Sequence, residues 1–150
     1  MKIAIGSDHA GYQLKEAVKQ YLILSLKIET EDCGCFSPEP VDYPDIAEIV
    51  ASLILKNKAD KGILICGTGI GMCVSANKFP GIRAALCHEP VSAYFSSAHN
   101  DANILTMGGR IIGAEVAKAV VKIWLETDFQ KGHHSRRLEK IHIQEQKNAC

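Results

Sequence analysis

The sequence predicts an α/β fold: a single-domain, three-layer, Rossmann-like sandwich with a five-stranded parallel sheet, helices on both faces and one more helix at the C-terminus. Three observations predict it. Short apolar runs alternate five times with amphipathic stretches along the 150 residues. The runs are short and carry Ile or Val, as strands covered on both faces tend to. The stretches between them suit helices, and repeated strand–helix–strand units close as right-handed parallel crossovers. The length is that of one domain, so residues 1–150 are read as a single unit.

In chain order, the first strand is expected at Lys2–Gly6; it follows Met1 directly, without the apolar core of a signal peptide. A helix is expected over 13–25, where Leu14, Val18, Tyr21 and Leu22 share one face. A second strand is expected at Lys27–Glu31. The segment Asp42-Tyr43-Pro44-Asp45 then reads first as a turn and N-cap for a helix over 45–57. The strand Gly62–Cys66 runs through a glycine-rich turn into a helix over 70–77. After it come a strand at Ile82–Leu86, a helix over 90–98, a strand at Ile104–Met107 and a helix over 114–125. From Thr127 the chain is polar and then helical through Leu138, Ile141 and Ile143, and Cys150 is expected to fray. The alternation leaves the strand order open.

Composition narrows the function. Lys plus Arg and Asp plus Glu number 17 each, so no net basic charge points to nucleic acid or an anionic membrane. No apolar run is long enough to span a bilayer. The six cysteines, at 33, 35, 66, 73, 87 and 150, form no CxxC pair, and the apolar settings of Cys66, Cys73 and Cys87 suit reduced thiols in a cytoplasmic protein. Cys33-Gly34-Cys35 has no second Cys or His pair at zinc-like spacing, so no metal site is expected.

In parallel sheets ligands sit at the carboxyl ends of strands. That rule selects Ser7-Asp8-His9-Ala10-Gly11, Cys66-Gly67-Thr68-Gly69-Ile70-Gly71 and Gly108-Gly109-Arg110. In the second of these, alternating glycines let successive amides approach a ligand where a helix begins, a ready site for an anion or oxyanion. A dinucleotide fingerprint would need glycine where Val74 stands, and the Lys-Ser/Thr ending of a nucleotide loop is missing. The alternative is a tight turn holding a buried Cys66. Asp8-His9 is either a sugar-binding pair or a helix cap beside an exposed imidazole. His99-Asn100-Asp101 is either a proton-moving group with an amide donor or a polar turn. Arg110, His133, His134, Arg136 and Arg137 are candidate phosphate ligands or simply solvated charges.

These motifs resemble the ribose-5-phosphate isomerase B family, shared with galactose-6-phosphate isomerase subunits, over Ile3 to about Glu145. The marks are Gly6-Ser-Asp-His-Ala-Gly11, Asp42-Tyr-Pro44, Ile65-Cys-Gly-Thr-Gly-Ile-Gly71, Ala76-Asn-Lys78, Gly81-Ile-Arg-Ala84, His99-Asn-Asp-Ala-Asn103 and Gly108-Gly-Arg110. The resemblance implies an aldose–ketose isomerase of pentose phosphate metabolism that uses no cofactor. His99 with Asp8 opens the furanose ring, and Cys66 removes the C2 proton. The amides of Gly67, Gly69, Ile70 and Gly71, with Asn100, hold the enediolate, and Thr68 moves a proton between its oxygens. Asp42 and Tyr43 contact the sugar; His9, Arg110 and Arg137 bind the phosphate. The family's homodimers and homotetramers share sites, so His99, Asn100 and Arg110 are expected to reach a partner's Cys66 loop.

Two departures stand out. The family tail reads Gly-Gly-Arg-His where this chain has Lys131-Gly132-His133-His134, so His133 replaces a phosphate-binding arginine, with Arg136 as an alternative substitute. Gly34-Cys35 also replaces a usual Gly-Thr pair. Both leave open a six-carbon sugar phosphate or a free sugar as substrate. A non-catalytic sugar-phosphate binding module of the same fold is the rival reading from another class.

Overall fold

Each apolar run is followed by a helix that returns the chain to the sheet's starting edge, so every strand pairs parallel with its neighbours. The structure, a computed structural model, describes residues 1–148; Cys150 lies outside them. The strands are β1 (Lys2–Ser7), β2 (Glu29–Asp32), β3 (Lys61–Cys66), β4 (Ala84–Leu86) and β5 (Ile104–Gly108). The helices are α1 (Tyr12–Gln20), α2 (Tyr43–Leu55), α3 (Ile70–Ala76), α4 (Pro90–Ala98), α5 (Ala114–Glu126) and α6 (His133–Asn148).

The sheet order is β2-β1-β3-β5-β4. From β1 the chain goes outward to β2, then crosses to β3 on β1's other side. That reversal opens a crevice at the carboxyl ends of β1 and β3, the usual place for a ligand in an open parallel sheet.

Strand residues alternate between two cores. Ile3, Ile5, Ile63, Ile65, Leu105 and Met107 pack under α1, α4 and α5 with Val18, Val120 and Trp124. Ala4, Leu64 and Ile104 pack on the other face with Ile46 and Val50 of α2 and Met72 of α3. The expected three layers are therefore present, and α6 lies outside them with His134 as its buried residue.

Several boundaries differ from expectation, among them that of α2, which runs Tyr43–Leu55 rather than over 45–57. The helix expected over 13–25 is α1 followed by a π-helical turn at Tyr21–Ser25. There the Leu26 N–H reaches back to the Tyr21 carbonyl at 3.1 Å, and the widened turn carries Leu22 fully into the core. The second strand cannot begin at Lys27, whose φ of 56° is incompatible with extended backbone. The fourth begins at Ala84 because the Ile82 N–H closes a turn onto the Phe79 carbonyl at 3.0 Å. Asp42 occupies the N-cap of α2, as expected, but its carboxylate makes no capping bond.

Candidate active site

β3 ends at Cys66, and three residues turn the chain into α3. Gly69, the N-cap of α3, has φ +79°; a Cβ there would lie 2.7 Å from the Met107 carbonyl carbon, so both conformation and space demand glycine. The turn brings the Gly69 N–H onto Cys66 Sγ at 3.1 Å. The Ile70 N–H is held by Thr68 Oγ1 at 3.3 Å. The amides of Gly67, Thr68 and Gly71 donate to no protein atom among the described residues. A buried sulfur thus sits beside a row of unengaged donors.

The end of β5 braces this loop. The Gly109 N–H donates to the Cys66 carbonyl at 2.8 Å and the Arg110 N–H to the Gly67 carbonyl at 3.0 Å. The Arg110 side chain runs beside Gly67, where a Cβ would lie 3.6 Å from Arg110 Cδ. Within one chain Arg110 therefore lies against its own loop.

β1 supplies the third wall. Asp8 is buried; its N–H donates to the Ile65 carbonyl at 3.1 Å and its Oδ1 accepts the Gly11 N–H at 3.0 Å. The carboxylate thus shapes the entry to α1, although Gly11 is the N-cap residue. His9 is exposed and accepts the Val41 N–H through Nδ1 at 3.4 Å, which leaves the proton on Nε2. The Tyr43 ring covers Gly71 so closely that a Cβ there would meet Cζ at 2.8 Å. Asp42 precedes it, exposed at the head of α2. Asp8, His9, Tyr43, Cys66–Gly71 and Arg110 are thus brought to one edge of the sheet.

The remaining candidates lie elsewhere. α4 carries the chain back from β4 over nine residues, about 13 Å, so His99 and Asn100 sit near the amino end of β5. His99 stacks flat on His134, with ring centroids 4.1 Å apart and planes 14° apart, and His133 lies 3.9 Å from His134. Burial first, and then His133, His99 and Arg137, hold the His134 imidazole below the usual histidine range. Arg137 is exposed one turn along α6. Asn100 lines a groove of about 850 Å³ between α6 and the 77–85 segment, away from Cys66. One chain therefore presents two groups of candidates at opposite edges.

Sequence reasoning overlooked His88. It accepts the Gly108 N–H through Nε2 at 2.9 Å. Its signal was available, since it follows an apolar strand at the carboxyl edge. Among the described residues no helix is long and apolar enough to cross a membrane.

Known proteins resemble this chain in sequence and fold. Residues 3–141 match the Ribose/Galactose Isomerase family model. Ribose-5-phosphate isomerase B of Escherichia coli is 45% identical over 146 residues, covering 97% of each chain. A D-erythrulose-4-phosphate isomerase of Pectobacterium atrosepticum is 41% identical, covering 94% of this chain and 93% of its own. The structure of Clostridium thermocellum ribose-5-phosphate isomerase B superposes with a TM-score of 0.96 at 46% identity, over 98% of this chain and 99% of that one. With a family match over nearly its whole length and the same fold in solved relatives, the chain belongs to the Ribose/Galactose Isomerase family.

Proposed function

We propose that this chain interconverts D-ribose 5-phosphate and D-ribulose 5-phosphate in the cytoplasm, with Cys66 as the base and no metal or cofactor. The observation that carries this reading is Cys66 Sγ sunk at the end of β3, with the Gly69 N–H on it and, beside it, the amides of Gly67, Thr68 and Gly71, which have no acceptor among the described residues. An aldose–ketose shift needs one base and a set of donors for the enediolate oxygen. His99, with Asp8, opens the sugar ring. The Cys66 thiolate takes the C2 proton and the electron pair forms the C1–C2 double bond. The loop amides and Asn100 hold the negative oxygen. Thr68 passes the O2 proton to O1, and Cys66 returns its proton to C1. Asp42 and Tyr43 fit as the sugar wall, and His9, Arg110, His133 and Arg137 as phosphate ligands.

The active unit in this reading is a homodimer, or a homotetramer built from such dimers. His99 and Asn100 of one subunit serve the Cys66 loop of its partner, because within one chain α4 separates them. The edge strand β4 supports the pairing: beside it Ile70 and Val74 of α3 and Val91 and Phe95 of α4 remain 43–63% exposed.

A complementation assay tests both parts. Cys66→Ala and His99→Ala should each lose ribose 5-phosphate turnover. A refolded equimolar mixture should regain about a quarter of wild-type activity, since half the dimers then carry one intact site of two. No recovery on mixing would overturn the shared site, and an active Cys66→Ala would overturn the base. A second reading changes only sugar length. It is favoured by the erythrulose-phosphate relative at 41% identity and by His133, which lacks the bidentate fork of arginine. Erythrulose 4-phosphate or allose 6-phosphate turning over faster than ribose 5-phosphate would establish it.

A further inference from the structure

The geometry points to His88 as a positioning residue for the Cys66 loop, a latch that fixes the turn after β5 through an imidazole acceptor. The parallel ladder between β4 and β5 runs normally up to the Cys87 N–H, which donates to the Thr106 carbonyl at 3.1 Å. Parallel geometry would send the next rung from the Gly108 N–H to the Cys87 carbonyl. That rung goes instead to His88 Nε2, at 2.9 Å. An imidazole nitrogen can accept only when it carries no proton, so the bond places the His88 proton on Nδ1.

The consequence lies in the next two residues. Gly108, Gly109 and Arg110 present three successive amides; the first goes to His88, the second to the Cys66 carbonyl and the third to the Gly67 carbonyl. The peptide that His88 holds therefore directly precedes the two from which the base and its neighbour are hung. Gly108 is buried and packs against the Thr68 backbone so tightly that a Cβ would lie 2.7 Å from the Thr68 carbonyl carbon. A shift at Gly108 therefore moves Thr68 and the Cys66 loop with it. His88 need not touch the sugar: it acts through Gly108. Its effect on turnover rests on the isomerase reading above, whereas the latch rests on geometry alone.

Two variants and one spectrum test the proposal. His88→Phe keeps the ring's bulk without an acceptor, and His88→Gln offers a carbonyl oxygen close to where Nε2 lies. In the ¹⁵N-labelled wild type, a scalar coupling across the N–H···N bond should link the Gly108 amide to His88 Nε2. His88→Phe should expose the Gly108 amide to faster hydrogen exchange and lower kcat/KM roughly tenfold to a hundredfold, the scale on which a small misplacement at a reacting centre acts. His88→Gln should restore both to near wild type. Absence of the coupling in the wild type, or His88→Phe with wild-type exchange and turnover, would overturn the latch, as would His88→Gln failing as badly as His88→Phe while remaining folded. If the wild type turned over no sugar phosphate, the isomerase reading would fall while the coupling and the exchange data still decided whether the latch exists.

Discussion

The carboxyl ends of β2 and β3 lie on the same edge of one sheet and are built in opposite ways. At the end of β2, Lys15 is fully buried, and its Nζ reaches both Asp32 oxygens and the Cys35 carbonyl at 2.8 Å and Glu16 at 2.9 Å. Lys19 adds a second ion pair to Asp32 at 2.6 Å. The nearby Cys33 thiol is pushed up to about 11, by burial and then by Glu31 and Asp32. At the end of β3, by contrast, a buried thiol and three amides stand without partners among the described residues beyond the Gly69 N–H. Polar groups fully engaged with one another hold a fold; polar groups left unengaged at a sheet edge are available to a substrate. The two cysteine regions differ accordingly: Cys33 is kept as a neutral thiol, and Cys66 is set among donors.

The sharpest way to break this comparison is Cys66→Ala. It should lower kcat about 10²–10⁴-fold, the usual contribution of a positioned base, while leaving urea unfolding close to wild type. Comparable turnover in a coupled assay would remove the contrast. Lys15→Met attacks the other end. It should cost about 3 kcal/mol in urea unfolding, the low side of the range for breaking a buried ion pair, because Lys19 still reaches Asp32. The folded fraction should keep its kcat; a matching loss of kcat would show that the two ends are not separate.

A finer test is Gly71→Ala, which sets a methyl group against the Tyr43 ring. Because Tyr43 is 40% exposed it can swing away, so kcat/KM should fall roughly tenfold with little change in unfolding. Adding Tyr43→Ala should produce less than the sum of the two losses. The smallest effect is acid dependence at β2. Burial pushes the Asp32 carboxyl up, but the ammonium groups of Lys15 and Lys19 outweigh it and hold the carboxyl below its usual range. A depressed folded-state value stabilises the fold above the unfolded pKa of about 3.9 and loses that effect as the pH falls through the folded value. The urea midpoint should therefore drop below about pH 4, and drop less in Lys15→Met.

What could be read from the residues was whatever local chemistry controls. Glycine spacing after an apolar strand located the Cys66 loop, and the 3.6-residue rhythm located the helices. The order β2-β1-β3-β5-β4 depends on which faces meet across the whole sheet, and no local pattern encodes it. Lys27 looked like the start of a strand because its positive φ leaves no trace in residue type. Lys15 sits in an amphipathic helix where a lysine normally faces water, and its partners Asp32 and Cys35 come from a distant segment. The placement of His99 was readable in principle: a residue after a helix and before a parallel strand must lie at the sheet's amino edge, opposite Cys66. His88 carried a positional signal only, with no motif around it.

The nine-residue return of α4 has a further consequence. If the base of one chain meets the ring-opening imidazole only by way of another, then a lone chain is folded but inert. Specific activity would then report how many chains have found a mate, so dilution alone would switch the catalyst off and concentration would bring it back. A newly made subunit could not act on cellular sugars until assembly was complete.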